Sequence, residues 1–227
     1  MIRIGVVYSI VRDLCNKDQK GFVTPAVFNT LAEVAQMNVY NEMFNELMLA
    51  TRLRASGSDA GRDKSAYKMV EEDLAFFIKE SLLDSGNDQA IKPDDLSKII
   101  SMHISETNTS AEIIYDTEKA RRVLNSNLSA PTEAFPVALV GSNVIEIFPT
   151  DLAEEVVLRY YRSPLKPLYV TTEVAPGFVI EDPTSSVDFE LPPHYLGELV
   201  GEIARMIGVR LRDDVLMQYG TAEITNK

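Results

Sequence analysis

Tryptophan is missing from these 227 residues, cysteine occurs once, as Cys15, and histidine twice, as His103 and His194. A lone thiol makes no internal disulfide, so nothing here calls for an oxidising compartment. The two histidines lie far apart and lack the paired spacing of a zinc helix, and no Cys/His cluster stands in for it. No window approaches about twenty uncharged apolar residues, which excludes a membrane-spanning helix from the expectations. The apolar patch over residues 1–8 is closed by Asp13 and Lys17 before a signal-peptide core can form. There is no phosphate-cradling P-loop, no dinucleotide glycine fingerprint after a strand, and no nucleophile-elbow serine. Positive charge is scarce as well: 22 basic side chains face 34 acidic ones, a net charge of −12. Such a surface repels phosphate as a whole and leaves room only for a local basic patch.

The chain is 45% apolar and 25% charged. At this length a fold buries roughly 70% of the surface its unfolded chain exposes, enough for one large domain or two small ones. Proline divides the sequence. Nine of the eleven prolines lie within residues 131–193, whereas the first 90 residues hold only Pro25, so helices dominate the first part. A first helix is expected to end near Leu14. Thr24-Pro25 then supplies an N-cap and a first-turn proline. Behind it Val27, Phe28, Leu31, Val34, Ala35, Tyr40, Met43, Phe44, Leu47 and Met48 recur at three- and four-residue steps, the mark of a long amphipathic helix. Residues 56–63 are turn formers set among Arg52, Arg54, Arg62, Lys64 and Lys68, and read as a mobile basic loop. A further helix carries Leu74, Phe77, Ile78 and Leu82 on one stripe, and residues 84–88 break it.

From there the pattern turns to strands. Residues 94–100 and 111–115 read as extended, and residues 118–125 as a short helix capped by Asp116 or Thr117. Residues 136–140 and 144–148 form a hairpin around Gly141-Ser142-Asn143. Residues 156–162 and 168–172 follow as third and fourth strands of an antiparallel sheet. A last helix starts behind Pro192-Pro193, buries Leu196, Leu199, Val200, Ile203, Met206 and Ile207, and stops at Gly208. Gly197 and Gly201 lie one turn apart beside that stripe, each costing about 1 kcal/mol of helix propensity. Either another backbone approaches them closely or packing tolerates them. The fold class is therefore α+β, with a helical region over residues 1–88 and an α+β region with an antiparallel sheet and C-terminal helices over residues 89–227.

Residues 16–27 resemble a calcium loop in placing a glycine, Gly21, correctly. An asparagine stands first, however, Lys20 fifth, and Val27 where a bidentate glutamate belongs. Lysine in a divalent-cation site opposes binding, so a structural helix-loop-helix is the better reading. Carboxylates cluster at Glu71-Glu72-Asp73, Glu154-Glu155, Glu181-Asp182 and Asp213-Asp214. Neighbouring acids on a helix point apart, which favours solvated faces over acid/base pairs.

The words Asn16-Lys17-Asp18-Gln19-Lys20-Gly21-Phe22-Val23-Thr24-Pro25, Phe28-Asn29, Ala35-Gln36, Leu124-Asn125-Ser126-Asn127-Leu128, Pro131-Thr132, Phe135-Pro136-Val137, Phe148-Pro149, Tyr160-Tyr161-Arg162-Ser163-Pro164, Pro167 and Asp188-Phe189-Glu190-Leu191-Pro192 follow one another along the chain. In this order they resemble virion structural proteins of crAss-like tailed phages, and among them the ring-forming adaptor proteins of the head-to-tail connector. One departure is Leu168-Tyr169, where the pattern has tryptophan after the proline. The resemblance implies a homo-oligomeric ring that follows the portal's twelve-fold order. Such a ring sits at the head-tail junction of the virion after assembly in the bacterial host cytoplasm. Its partners would be copies of itself, the portal and other connector or tail proteins, with at most transient contact with packaged DNA and none with membrane. The resemblance brings no catalytic residue, cofactor or metal. A ring needs a heterologous interface whose rotation closes. Candidate contributors are Tyr160, Tyr161 and Arg162 on one strand and Gly197 and Gly201 on the last helix, for each of which interior packing is the rival reading. Two other classes stay open at this point: a non-enzymatic binding or assembly module built on the degenerate helix-loop-helix, and an enzyme using carboxylates brought together by the fold.

Overall fold

The computed structural model describes residues 1–16, 23–55, 61–83, 89–150, 155–175, 178–211 and 214–225. The fold mixes helices with several antiparallel sheets, as an α+β protein does. The helices are α1 (Ile4–Asn16), α2 (Pro25–Ala55), α3 (Gly61–Ala75), α4 (Thr117–Leu124), α5 (Leu196–Leu211) and α6 (Asp214–Thr225). The strands are β1 (Ile78–Leu83), β2 (Gln89–Ile91), β3 (Leu96–Ile104), β4 (Glu112–Ile114), β5 (Val137–Val140), β6 (Val144–Phe148), β7 (Val156–Arg162), β8 (Thr171–Ala175) and β9 (Phe178–Glu181). Among the described residues no helix is long and apolar enough to cross a membrane.

Two compact units result, and they divide the chain elsewhere than at residue 88. One joins Met1–Asp73 to Pro164–Lys227; the other is the continuous stretch Leu74–Ser163. The N-terminal helices find their partners at the far end of the sequence, since α5 packs on both α1 and α2. Residues 84–88 themselves lie outside the described residues.

The first unit starts from local signals. The Thr24 carbonyl accepts from the Phe28 amide at 2.9 Å and its hydroxyl from the Val27 amide at 3.4 Å, so the N-cap expected there is present. From this start Phe28, Ala32, Ala35, Val39, Tyr40, Met43 and Phe44 turn inward and are buried. Val34 and Met48, grouped with that stripe on spacing alone, stand on the opposite side and are exposed. Tyr8 stacks on Tyr169 with ring centroids 4.3 Å apart, and Phe28 meets both rings edge-on. Buried Gln36 ties the two sequence halves. Its amide donates to the Leu165 carbonyl at 2.7 Å, and its oxygen accepts from the Glu190 amide at 3.1 Å. The Glu190 carboxylate in turn accepts from the Leu165 amide at 2.7 Å. At the chain start Ile2 bridges Phe189, and Asp188 accepts from the Ile4 amide at 2.9 Å, capping α1.

After one turn of 3₁₀ helix at Pro193–Tyr195, α5 runs past Gly208 to Leu211. Gly208 was expected to stop it. Buried Ala204 and Ile207 lead into an equally buried Gly208, and that packing outweighs a glycine penalty of about 1 kcal/mol.

The second unit is built on two sheets. One has the order β1-β7-β3 and is antiparallel; the other has the order β2-β6-β5-β4, with β4 parallel to β5. Their inner faces share one core, in which Met102, Leu158 and Tyr160 of the first meet Ala90, Ala138, Ile145 and Ile147 of the second. On the other face of β5, Val137 packs with Ala120 of α4, which Asp116 caps by accepting from the Glu118 amide at 2.8 Å. The expected hairpin 136–148 is β5–β6, paired from Val137 with Phe148 to Val140 with Ile145. The expected helix through Leu82 is different: it ends at Ala75, and β1 pairs with β7 from Ile78 with Tyr161 to Leu83 with Val156. The third strand, β7, therefore leaves the hairpin's sheet, and the fourth, β8, pairs among the described residues with β9 in the first unit.

Candidate functional site

Tyr160, Tyr161 and Arg162 lie on the central strand of the three-stranded sheet. Alternation along β7 sets Tyr161 on the opposite face from Tyr160 and Arg162. Tyr160 is fully buried, whereas Tyr161 and Arg162 are half-buried. The Tyr160 hydroxyl donates to Asp95 Oδ1 at 2.8 Å, and Lys79 Nζ donates to Asp95 Oδ2 at 2.7 Å. The Lys79 hydrogen bond, followed by that from Tyr160, holds the Asp95 carboxyl below its ordinary range despite partial burial. Burial first, and then the Asp95 carboxylate, pushes the Tyr160 phenol up. The Arg162 guanidinium lies 5.6 Å from the Phe76 ring centroid and 5.7 Å from that of Phe77, a cation–π arrangement. Its backbone amide donates to the Phe77 carbonyl at 2.8 Å. Asp95 and Lys79 carry no sequence mark that would have singled them out, because strand pairing sets Lys79 opposite Tyr160 and Asp95 arrives from the turn before β3.

On α5, Gly201 is buried and Gly197 half-buried. The close approach is made inside the chain, by Gly220 of α6. A β-carbon at Gly220 would sit 2.6 Å from the Gly201 carbonyl oxygen and 2.7 Å from the Arg205 amide. The five basic positions are distributed over helices. Arg52 and Arg54 lie in the last turns of α2, and Arg62, Lys64 and Lys68 lie on α3. Arg52 and Lys68 are exposed. Residues 56–60 of the expected loop fall outside the described residues, as do residues 17–22 of the calcium-like loop. The helix at 61–75 forms because Lys64, Ala66, Lys68, Met69, Glu71 and Glu72 are strong helix formers.

Polar chemistry collects between α2 and α5. A cavity of about 310 Å³ is lined by Asn38, Val39, Asn41, Glu42, Glu198 and Glu202. Buried Glu202 accepts from Arg205 Nη2 at 2.6 Å and Nε at 3.0 Å, and from the Asn38 amide at 2.7 Å. Burial pushes the Glu202 carboxyl up, but the Arg205 and Asn38 hydrogen bonds, with the Arg205 charge, more than reverse this and leave it below its ordinary value. Nearby, buried Tyr195 has its phenol pushed well up, by burial first and then by Glu46, Asp73 and Glu198. Asp73 also meets His194 Nε2 at 3.0 Å. Among the described residues no group of three or more His, Cys, Asp or Glu side chains could hold a metal ion. Of the acidic pairs, Asp182 organises its own turn, accepting from the Thr184 amide at 2.9 Å and the Ser185 hydroxyl at 2.7 Å.

The depressed Glu202 carboxyl fixes the sign of a pH effect. Its folded value lies below the unfolded one, so its contribution is complete above the ordinary glutamate value of 4.5 and is lost as pH falls through the folded value. Urea midpoints measured from neutrality downward should therefore fall less steeply below pH 4.5 in Glu202→Gln than in the native chain. Parallel curves would remove Glu202 from the account.

No protein-family model matches the chain, and the search of curated proteins gives no match.

Proposed function

We propose that this chain is a virion structural protein, an adaptor-type ring in the head-to-tail connector of a crAss-like tailed phage. It bridges portal and tail through protein–protein interfaces and performs no turnover. The ordered short words from residue 16 to residue 192 support this reading.

The structural observation that carries it is α2. One face of this 31-residue helix is buried by Phe28, Ala32, Ala35, Val39 and Met43, and the opposite face sets Val34, Met37 and Met48 in solvent. Apolar side chains left exposed on a surface helix, here with Asn41 and Asn45 between them, support a contact with another protein. The negative surface left over suits a lumen through which DNA passes without sticking.

Sedimentation velocity over a range of protein concentrations tests the reading. It predicts a discrete large species built from identical copies, formed alone or on mixing with a portal. A monomer at every concentration that also ignores the portal would overturn it, and strong, salt-sensitive DNA binding would contradict the lumen.

A further inference from the structure

We propose that Glu181 is a two-position latch for the β8–β9 ribbon. Seated against Gly5, its carboxylate holds the ribbon on α1; turned into the adjoining cavity towards Arg3, it lets the ribbon move away. The latch lies within the first unit and does not depend on the ring reading.

The seat is made by a missing side chain. A β-carbon at Gly5 would lie in the Glu181 carboxylate, 2.6 Å from Cδ and 2.8 Å from Oε1. Glycine disfavours a helix, and here it opens the place that the carboxylate takes. The first turn of α1 has no acid of its own. Asp188 and Glu181 bring two from far along the chain, Asp188 by accepting from the Ile4 amide at 2.9 Å. The free amides of a helix start favour negative charge at this point. The Glu181 charge is felt one turn along α1 as well. Tyr169 stacks there on Tyr8, and burial, followed by the Glu181 carboxylate, pushes the Tyr169 phenol up.

The ribbon needs such a hold. It is a two-stranded sheet, and a hairpin of that kind is marginally stable alone in water. Thr172, Glu173, Val174 and Ala175 are exposed, as is Ile180 on β9, so burial adds little to β8 beyond Thr171. Backbone bonds tie the root: the Asp182 amide donates to the Val170 carbonyl at 2.9 Å, and Leu168 bridges Val187. Thr171 pairs with Glu181. The latch therefore stands at the root, where one side chain sets the direction in which both strands leave.

A cavity of about 670 Å³ beside the seat provides the second position. Glu181 and Gly5 line it together with exposed Arg3. A glutamate side chain changes rotamer without moving the backbone, so the carboxylate can leave the start of α1 for the Arg3 guanidinium across the same cavity. A carboxylate at a helix start and an exposed ion pair are both weak contacts of similar size. Neither position wins outright, which is what a latch requires.

Hydrogen exchange of the full chain, read by mass spectrometry over residues 171–181, tests the latch. Glu181→Ala removes the carboxylate and should speed ribbon exchange about fivefold, the effect of taking a charge from the first turn of a helix. Gly5→Ala fills the seat and should do the same, while α1 exchanges no faster because alanine is the better helix former. Arg3→Ala should have the opposite sign: without the second position the carboxylate stays on Gly5, and ribbon exchange slows. Glu181→Ala leaves α1 intact, so it decides the matter even where a methyl group at Gly5 unfolds the protein. Ribbon exchange at the native rate in Glu181→Ala would overturn the latch. Exchange that is unchanged or faster in Arg3→Ala would overturn its second position and reduce Glu181 to a fixed clip.

Discussion

Tyr160→Ala is expected to lower the stability of the sheet unit by about 3–5 kcal/mol, the usual cost of deleting a large aromatic side chain from a closed core. The ring is fully buried at the centre of the three-stranded sheet, in the core shared with Met102, Ile145 and Leu158. Tyr160→Phe should cost only about 1 kcal/mol, since it removes the hydroxyl's bond to Asp95 while Asp95 keeps Lys79. Tyr161→Ala, one step along the same strand and half-buried, should cost less than Tyr160→Ala. Urea unfolding of the three variants checks the order. Equal midpoints for Tyr160→Ala and the native chain would place Tyr160 outside the core.

Gly220→Ala is expected to destabilise the helical unit by about 1–3 kcal/mol, the cost of forcing atoms into a filled contact. The new methyl group would lie against backbone atoms of α5 at Gly201 and Arg205, which have no rotamer with which to yield. The sign is informative, because the same change in a helix without neighbours gains about 1 kcal/mol in propensity. An isolated peptide covering α6 should become more helical with alanine while the full chain melts lower. A full chain that melts higher would show that α6 does not pack on α5 at this point.

What could be read from the sequence was local. The Thr24-Pro25 start of α2, the Asp116 cap of α4 and the 136–148 hairpin each depend on residues within a few positions of one another. The sheet order could not be read in this way. Phe77, Ile78 and Leu82 fit a helical spacing, and β1 exists because it pairs with β7, about eighty residues downstream. The division into units was hidden for a similar reason: Gln36 finds its partners at Leu165 and Glu190.

The candidate surfaces were legible in part. Spacing marked α2 as amphipathic and placed Val34 and Met48 on its inner face, because a helix apolar on two sides has no single stripe to follow. Only burial separates the two faces. Of the two readings open for the glycines on α5, the close backbone approach holds at Gly201, and its partner, Gly220, sits on another helix with no mark of its own. Tyr160 looked like an interface aromatic until strand pairing placed it inside.

Electron microscopy of virions, at a resolution that traces this chain, tests the central claim most directly. The account predicts a closed ring of identical subunits between portal and tail. Virions that lack the chain at that junction, or hold it there as isolated single copies, would contradict it.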